Sequence, residues 1–108
     1  MPSTTITRGN ALSTTYIGIP ITPASVASYT SAVQTFNVSG LLTTDIIAQV
    51  GLSGAQTAGI VIGECDCLTA GVLSVQFLNV TAAAVVPAAG TYVFQVVRTD
   101  GPLPANMS

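Results

Sequence analysis

The sequence predicts an all-β fold, a small antiparallel β-sandwich or barrel-like domain with an extended N-terminal arm. From residue 33 onward, short runs of alternating apolar and polar residues are separated by turn residues at intervals of about ten, which is typical of sandwiches and barrels. Glu, Lys and Arg, which usually fill exposed helix positions, are scarce, so helices are disfavoured. The 108 residues are enough for one compact domain.

Residues 1–30 are predicted to form the arm and residues 31–108 the sandwich domain. Ser, Thr, Pro and Gly dominate the first thirty residues, where the strand-like run covers residues 16–21. Pro20 and Pro23 cannot donate hydrogen bonds to a sheet, so this run is expected to form an edge strand if it pairs at all.

In the domain, we predict strands over residues 33–38, 46–52, 59–68, 72–80 and 92–99. The last of these carries apolar residues on both faces, which predicts a central strand or one covered on both sides. Residues 81–90 are predicted to be a connecting loop, because Pro87 and Gly90 close any helix within two turns. Tight turns are expected at Ser39-Gly40, Ser53-Gly54 and Ala70-Gly71.

Charge is the most unusual property of the sequence. Only 6% of the residues are charged, against roughly 25% in an average globular protein. The charged residues are Arg8, Asp45, Glu64, Asp66, Arg98 and Asp100, with a net charge of −2. Two arginines far apart in the sequence cannot neutralise a row of phosphates, so neither a nucleic acid nor an acidic membrane surface is expected as a partner.

The apolar runs are too short and too often interrupted to predict a transmembrane segment. The polar N-terminus lacks the apolar stretch of a signal peptide, so export is not predicted. With 49% hydrophobic residues and no lysine to protect sheet edges, the chain is expected to be covered by other protein surfaces in an assembly. The alternative is a monomer whose surface is covered by Thr, Ser, Asn and Gln.

The residue inventory does not favour an enzyme. There is no His and no Lys, and these are the usual acid, base and nucleophile residues at neutral pH, apart from tuned carboxylates. Glu64 and Asp66 share a strand face and are interpreted as a solvated pair in preference to catalytic acids or calcium ligands. We predict no catalytic residue, no cofactor and no metal site.

The cysteines are Cys65 and Cys67, which lie on the same face of a predicted strand. Their separation of roughly 7 Å is too large for a disulfide between them. Buried free thiols are the favoured interpretation over metal ligation. Asp45 and Arg98 are candidates for an ion pair that orders the first long turn, and the alternative is a weak solvated pair.

Several short segments, in order along residues 33–99, resemble those of a known class of proteins. They are FNVSGL at residues 36–41, TTDII at 43–47, LSVQFLNVT at 73–81, PAAGTY at 87–92 and VVR at 96–98. This succession resembles the small β-domains of tailed-bacteriophage virion proteins, which include capsid decoration (cement) proteins and head-fibre modules.

The resemblance implies a non-enzymatic structural protein that is made in the host cytoplasm and sits on the outer surface of the virion capsid. Its implied partner is the major capsid protein, and its implied state is a homo-oligomer, with a trimer favoured. The arm would then reach a neighbour, with Tyr16, Ile17, Ile19 and Ile21 as the interface and residues 16–19 added as a strand to the neighbour's sheet. Deletion of residues 2–21 is expected to abolish capsid binding and to leave the domain folded.

The alternative function is a head-fibre or tail-fibre module that binds host-surface glycan or another virion protein. Such a module is expected to present aromatic side chains at the tips of its loops. The tyrosines available for this role are Tyr16, Tyr29 and Tyr92, and the chain has no Trp.

Overall fold

A computed structural model describes residues 11–99, which form six β-strands joined by turns and loops. The strands are β1 (Ala11–Ile21), β2 (Ser31–Asn37), β3 (Ile46–Leu52), β4 (Ile60–Thr69), β5 (Val72–Asn79) and β6 (Gly90–Thr99). They make two antiparallel sheets, sheet 1 in the order β1-β6-β3 and sheet 2 in the order β2-β5-β4. The predicted all-β class is confirmed. No helix that could cross a membrane occurs within this part of the chain.

The strands predicted from alternation are found with ends that differ by at most two residues. β6 is the central strand of sheet 1, as its two apolar faces predicted. β4 and β5 are joined by a two-residue turn at Ala70 and Gly71. Gly71 has a φ of 80°, a left-handed conformation that a residue with a Cβ adopts at a cost. Residues 81–89 contain no helix, in agreement with the predicted loop.

The N-terminal region contains the edge strand expected for residues 16–21, but this strand begins earlier and belongs to the sandwich. Residues 11–21 are strand β1, which pairs with β6 of the same chain from Ala11 opposite Thr99 to Ile21 opposite Gly90. The predicted boundary at residue 30 therefore falls after a strand of the sandwich, and deletion of residues 2–21 would remove that strand. Pro20 is accommodated because β1 is an edge strand. Residues 1–10 of the predicted arm, like residues 100–108, lie outside the described residues.

The core lies between the two sheets and is built around three aromatic rings. Phe77 of β5 and Tyr92 of β6 meet edge to face with ring centroids 6.2 Å apart, and the Phe94 ring lies 6.5 Å from Tyr92. The Tyr92 hydroxyl donates to the carbonyl of Ala88 (2.6 Å) and accepts from the Gln56 amide (2.9 Å). Tyr92 is therefore a fully buried core residue and not an exposed loop aromatic.

Asn79, at the end of β5, joins the loops at one end of the sandwich. Its side chain is buried, and its Nδ2 donates to the carbonyls of Val26 (3.0 Å) and Ala83 (2.8 Å). Its Oδ1 accepts from the backbone N–H (2.9 Å) and the hydroxyl (2.7 Å) of Thr81. A backbone bridge between Val26 and Val85 completes the connection. One amide thus satisfies four polar groups of two loops that are far apart in sequence.

Replacement of this amide is expected to destabilise the sandwich strongly. Asn79→Ala removes four hydrogen bonds and leaves the Thr81 N–H without its acceptor, while the Val26 and Ala83 carbonyls each keep a second donor, so we expect the free energy of unfolding to fall by about 1–3 kcal/mol. Urea denaturation followed by circular dichroism measures the change. Asn37→Ala, at an exposed position at the end of β2, is the matched control and should change stability by less than about 0.5 kcal/mol. Equal losses in the two variants would contradict the role given to Asn79.

Candidate interaction surfaces

The outer face of sheet 1 carries no charged side chain among the described residues. The strand register places Tyr16 of β1 beside Gln95 of β6, and Gln95 beside Ala48 of β3, in one row. This surface, called the uncharged face below, comprises Thr14, Tyr16, Ile46, Ala48, Val50, Val93, Gln95 and Val97. Tyr16 is 64% exposed, Ile46 47% and Val50 51%. Such a surface fits a protein contact better than it fits free solvent.

The outer face of sheet 2 differs from the uncharged face because it carries acidic charge. Asp66 of β4 lies opposite Ser74 of β5 and is half-buried, and Glu64 on the same strand is exposed. Val33 and Val61 are also exposed in this sheet. The outer face of sheet 2 therefore carries hydrated carboxylates, and the uncharged face of sheet 1 carries none among the described residues.

Cys65 and Cys67 lie on the same strand as these acids, and both are buried free thiols, as the sequence predicted. Burial raises the pKa of the Cys65 thiol, and the nearby charges of Asp66 and Glu64 raise it further. Both effects disfavour the thiolate, so Cys65 is poorly suited to nucleophilic or metal chemistry.

Three of the four edge strands carry features that obstruct pairing with another strand. β4 has register shifts at two places and carries both acids. β3 has a bulge between Gln49 and Gly51, and the Gln49 amide donates to the Gly51 carbonyl (2.6 Å). Beside β2, the Gln34 amide accepts from the N–H of Ala24 (2.9 Å) and donates to its carbonyl (3.0 Å). Bulges, charges and covering segments are the usual protections of a sheet edge.

β1 is the least obstructed edge strand, with Pro20 near its end and a register shift between Ala11 and Ser13 as its interruptions. Its pairing with β6 is regular from residue 13 to residue 21, and these residues include no charged side chain. Within the described part of the chain, their backbone makes no hydrogen bond beyond β6. Among the described residues, the outer edge of β1 thus presents unpaired backbone donors and acceptors, except that Pro20 offers no N–H.

The structure divides the predicted interface residues of this strand between two surfaces. Tyr16 points outward and is exposed. Ile17 and Ile19 are half-buried and pack against the core, and Ile21 is a core residue that is only 3% exposed. A partner would therefore meet Tyr16 and the backbone edge of β1, whereas Ile21 is already used in folding. Alternation within the segment was the signal that assigns these residues to opposite faces.

The loop before β2 presents a surface around Tyr29, one of the three tyrosines of the chain. Tyr29 is 71% exposed and has a φ of 52°, a left-handed conformation that is uncommon for a bulky residue. Together with Leu78 and Val80 it borders an open cavity of about 330 Å³, which Thr30 and Ser31 also line. An exposed aromatic ring beside hydroxyl groups is one arrangement that can hold a small neutral ligand.

The predicted ion pair between Asp45 and Arg98 is confirmed as a two-pronged contact. Arg98 Nε donates to Asp45 Oδ1 (2.8 Å), and Nη2 donates to Asp45 Oδ2 (2.8 Å) and to the Gly40 carbonyl (3.0 Å). The backbone N–H of Leu42 also donates to Asp45 (2.9 Å). The Asp45 carboxylate is fully buried and the Arg98 side chain is 34% exposed. The pair fixes the loop between β2 and β3 to the end of β6.

The comparisons with known proteins do not assign a function. Neither a family model, nor a curated protein, nor a solved structure matches the chain. Within residues 11–99, no group of three or more His, Cys, Asp and Glu residues lies close enough together to hold a metal ion. The surfaces described above are therefore the features from which a function can be argued.

The ion pair makes stability depend on pH in a defined direction. Hydrogen bonds from Arg98 and from the Leu42 N–H lower the pKa of Asp45 below its ordinary value of 3.8. The pair therefore stabilises the fold fully above the unfolded-state pKa, and this stabilisation is lost as the pH falls through the lowered folded-state pKa. Asp45→Asn should unfold at a lower urea concentration than the wild type at pH 7, and the difference should shrink at acid pH. The control Glu64→Gln should leave stability at pH 7 unchanged. A stability difference between wild type and Asp45→Asn that grows toward acid pH would contradict the stabilising role of the ionised Asp45.

Proposed function

We propose that this protein is a structural virion component that binds the outer surface of a tailed-phage capsid and stabilises the contacts between major capsid subunits. The observation that supports the proposal most is the uncharged face of sheet 1. Of the ten large hydrophobic side chains that are exposed in the described residues, Tyr16, Ile46 and Val50 lie on this face. Asp45 and Arg98 neutralise each other. Glu64 and Asp66 are left as the charges without an ion-pair partner in residues 11–99.

The distribution of charge also favours one orientation on the lattice. The uncharged face would lie against the capsid, where burial of apolar surface contributes about 25 cal/mol per Å². The outer face of sheet 2, with Glu64 and Asp66, would point to solvent. A net charge of −2 disfavours a position against the packaged genome, whose phosphates repel acidic surfaces.

Stabilisation of a capsid by such a protein follows from mass action. A protein that binds the assembled lattice and not the free subunits stabilises the lattice by RT ln(1 + [L]/Kd) per site, which is about 2.7 kcal/mol at a hundredfold excess over Kd. No chemical reaction is needed, and this is consistent with a surface that offers neither a His nor a Lys.

A pair of valine substitutions tests the proposed orientation. Val50→Lys places a charge on the uncharged face, and Val33→Lys places the same charge at a comparably exposed position on sheet 2. With tailed-phage capsids purified from a strain that lacks the gene for this protein, we expect Val50→Lys to weaken binding at least tenfold and Val33→Lys to bind like the wild type. Cosedimentation measures the binding, and electron cryomicroscopy locates the protein. Failure of the wild-type protein to bind such capsids would reject the proposal.

A second candidate function, a fibre module that binds host-surface glycan, is favoured by Tyr29. Its exposed ring next to the hydroxyl groups of Thr30 and Ser31 is the arrangement in which a sugar ring stacks on an aromatic face. A glycan array separates the two functions. Strong binding that is lost in Tyr29→Ala and kept in Tyr16→Ala would favour the fibre function over capsid decoration.

A further inference from the structure

We propose that the free edge of β1 pairs antiparallel with β1 of a second copy of this chain, which gives a two-fold dimer with a continuous six-stranded sheet. The strand order of that sheet would be β3-β6-β1 in one copy followed by β1-β6-β3 in the other. The inference deepens the proposed function, because it names a second copy as the partner of this edge and builds the surface that would meet the capsid.

The four edge strands differ in how strongly they are obstructed against the addition of another strand. β2, β3 and β4 are obstructed by the Gln34 contact with Ala24, by the bulge at Gln49 and by the acids and register shifts of β4, respectively. β1 is regular over residues 13–21 and makes no hydrogen bond at its outer edge among the described residues. An edge left open in a chain that protects its other edges is the one at which a strand can be added.

The absence of charge on β1 selects a second copy as the occupant. A two-fold interface brings each segment against an identical segment, so any charged residue near the axis would face its own kind. Residues 13–21 contain Ser, Thr, Tyr, Ile, Gly and Pro and no ionised side chain. Two copies of this edge therefore meet without like-charge repulsion, which is destabilising between directly opposed residues.

The side chains of β1 favour a register in which Ile17 lies opposite Ile17 of the second copy. Tyr16 then lies opposite Gly18 of the other copy on the outer face, and this contact occurs twice by symmetry. Gly18 is exposed and has no side chain, with the Thr91 methyl group 3.2 Å from where a Cβ would lie, and Tyr16 is 64% exposed on the same face. An aromatic ring packed over a glycine on a neighbouring strand is a known way to stabilise such a position. On the inner face, Thr15 lies opposite Ile19.

Dimerisation would double the area of the uncharged face. Where all three strands lie side by side, over about seven residues, the outer face measures roughly 14 by 24 Å, or about 340 Å² in projection. A stable protein interface needs about 800 Å² per partner. The six-stranded sheet of the dimer doubles the face to about 680 Å² in projection, so the dimer approaches the required area and a single copy does not.

The oligomeric state of the full chain tests the proposal. By light scattering coupled to size-exclusion chromatography, we expect the wild type to be a dimer. Tyr16→Lys introduces a lysine next to the axis and should raise the dimer dissociation constant at least tenfold. Tyr29→Lys, which changes a similarly exposed tyrosine that lies outside β1 in the loop before β2, should remain dimeric. Circular dichroism establishes that each variant is folded.

Cysteine cross-linking tests the register independently of stability. Ile17→Cys places two thiols opposite each other across the axis and should form a disulfide-linked dimer under mild oxidation. Ile19→Cys places them four residues apart in register, too far for a disulfide, and should not cross-link. The wild type should not cross-link either, because Cys65 and Cys67 are buried.

A wild type that is monomeric or trimeric at high concentration would overturn the inference, and so would cross-linking of Ile19→Cys as efficient as that of Ile17→Cys. Capsid binding is measured separately. A monomer that still binds capsids would reject the dimer and leave the proposed function standing. A cross-linked dimer that ignores capsids would support the pairing and reject the function.

Discussion

The constraint that governs this structure is the need to satisfy backbone polar groups with almost no ionised side chains. Side-chain amides take over this role. The amides of Gln34, Gln49 and Asn79 each bond backbone groups, and Gln56 accepts from the N–H groups of Thr57 and Ala88 while donating to Tyr92. Neutral amides offer both donors and acceptors, so loops and edges can be closed without the long charged side chains that would also cover the surface.

The one ion pair of the described residues, between Asp45 and Arg98, is the exception in which charged side chains bond backbone groups. The Asp45 carboxylate accepts from the Arg98 guanidinium and from the Leu42 N–H at the same time. Its negative charge is therefore paired within the fold. The surface consequently gains little charge from it. Solvation depends on Thr, Ser and the two acids of β4, and the uncharged face of sheet 1 is left without any of the repulsive charge that keeps most small domains apart.

The sequence predicted the strands well because period-two alternation identifies a strand and the sides of its residues without reference to a partner. It predicted β6 as central or covered on both sides from its two apolar faces, and it gave Asp45 and Arg98 as candidates for an ion pair beside the alternative of a weak solvated pair. It did not predict that residues 11–21 belong to the sandwich, since the pairing of β1 with β6 joins residues about eighty positions apart. Alternation places Tyr92 on the buried side of its strand with Phe94 and Val96. The exposure of Tyr29, at a left-handed position in a loop, follows from no such local pattern.

The placement of obstruction along the sheet edges links the fold to assembly. In a sandwich with four edges, specific strand addition requires that the wrong edges be blocked as well as that the right edge be open. The acids and register shifts of β4 and the bulge of β3 lie at one side of the sandwich, where these two strands also contact each other. β1 lies in the same sheet as β3 but at its opposite edge. Growth of sheet 1 is therefore restricted to the β1 edge. In the proposed dimer, the two-fold contact occupies this edge in both copies, so the sheet ends at six strands and does not continue into a fibre.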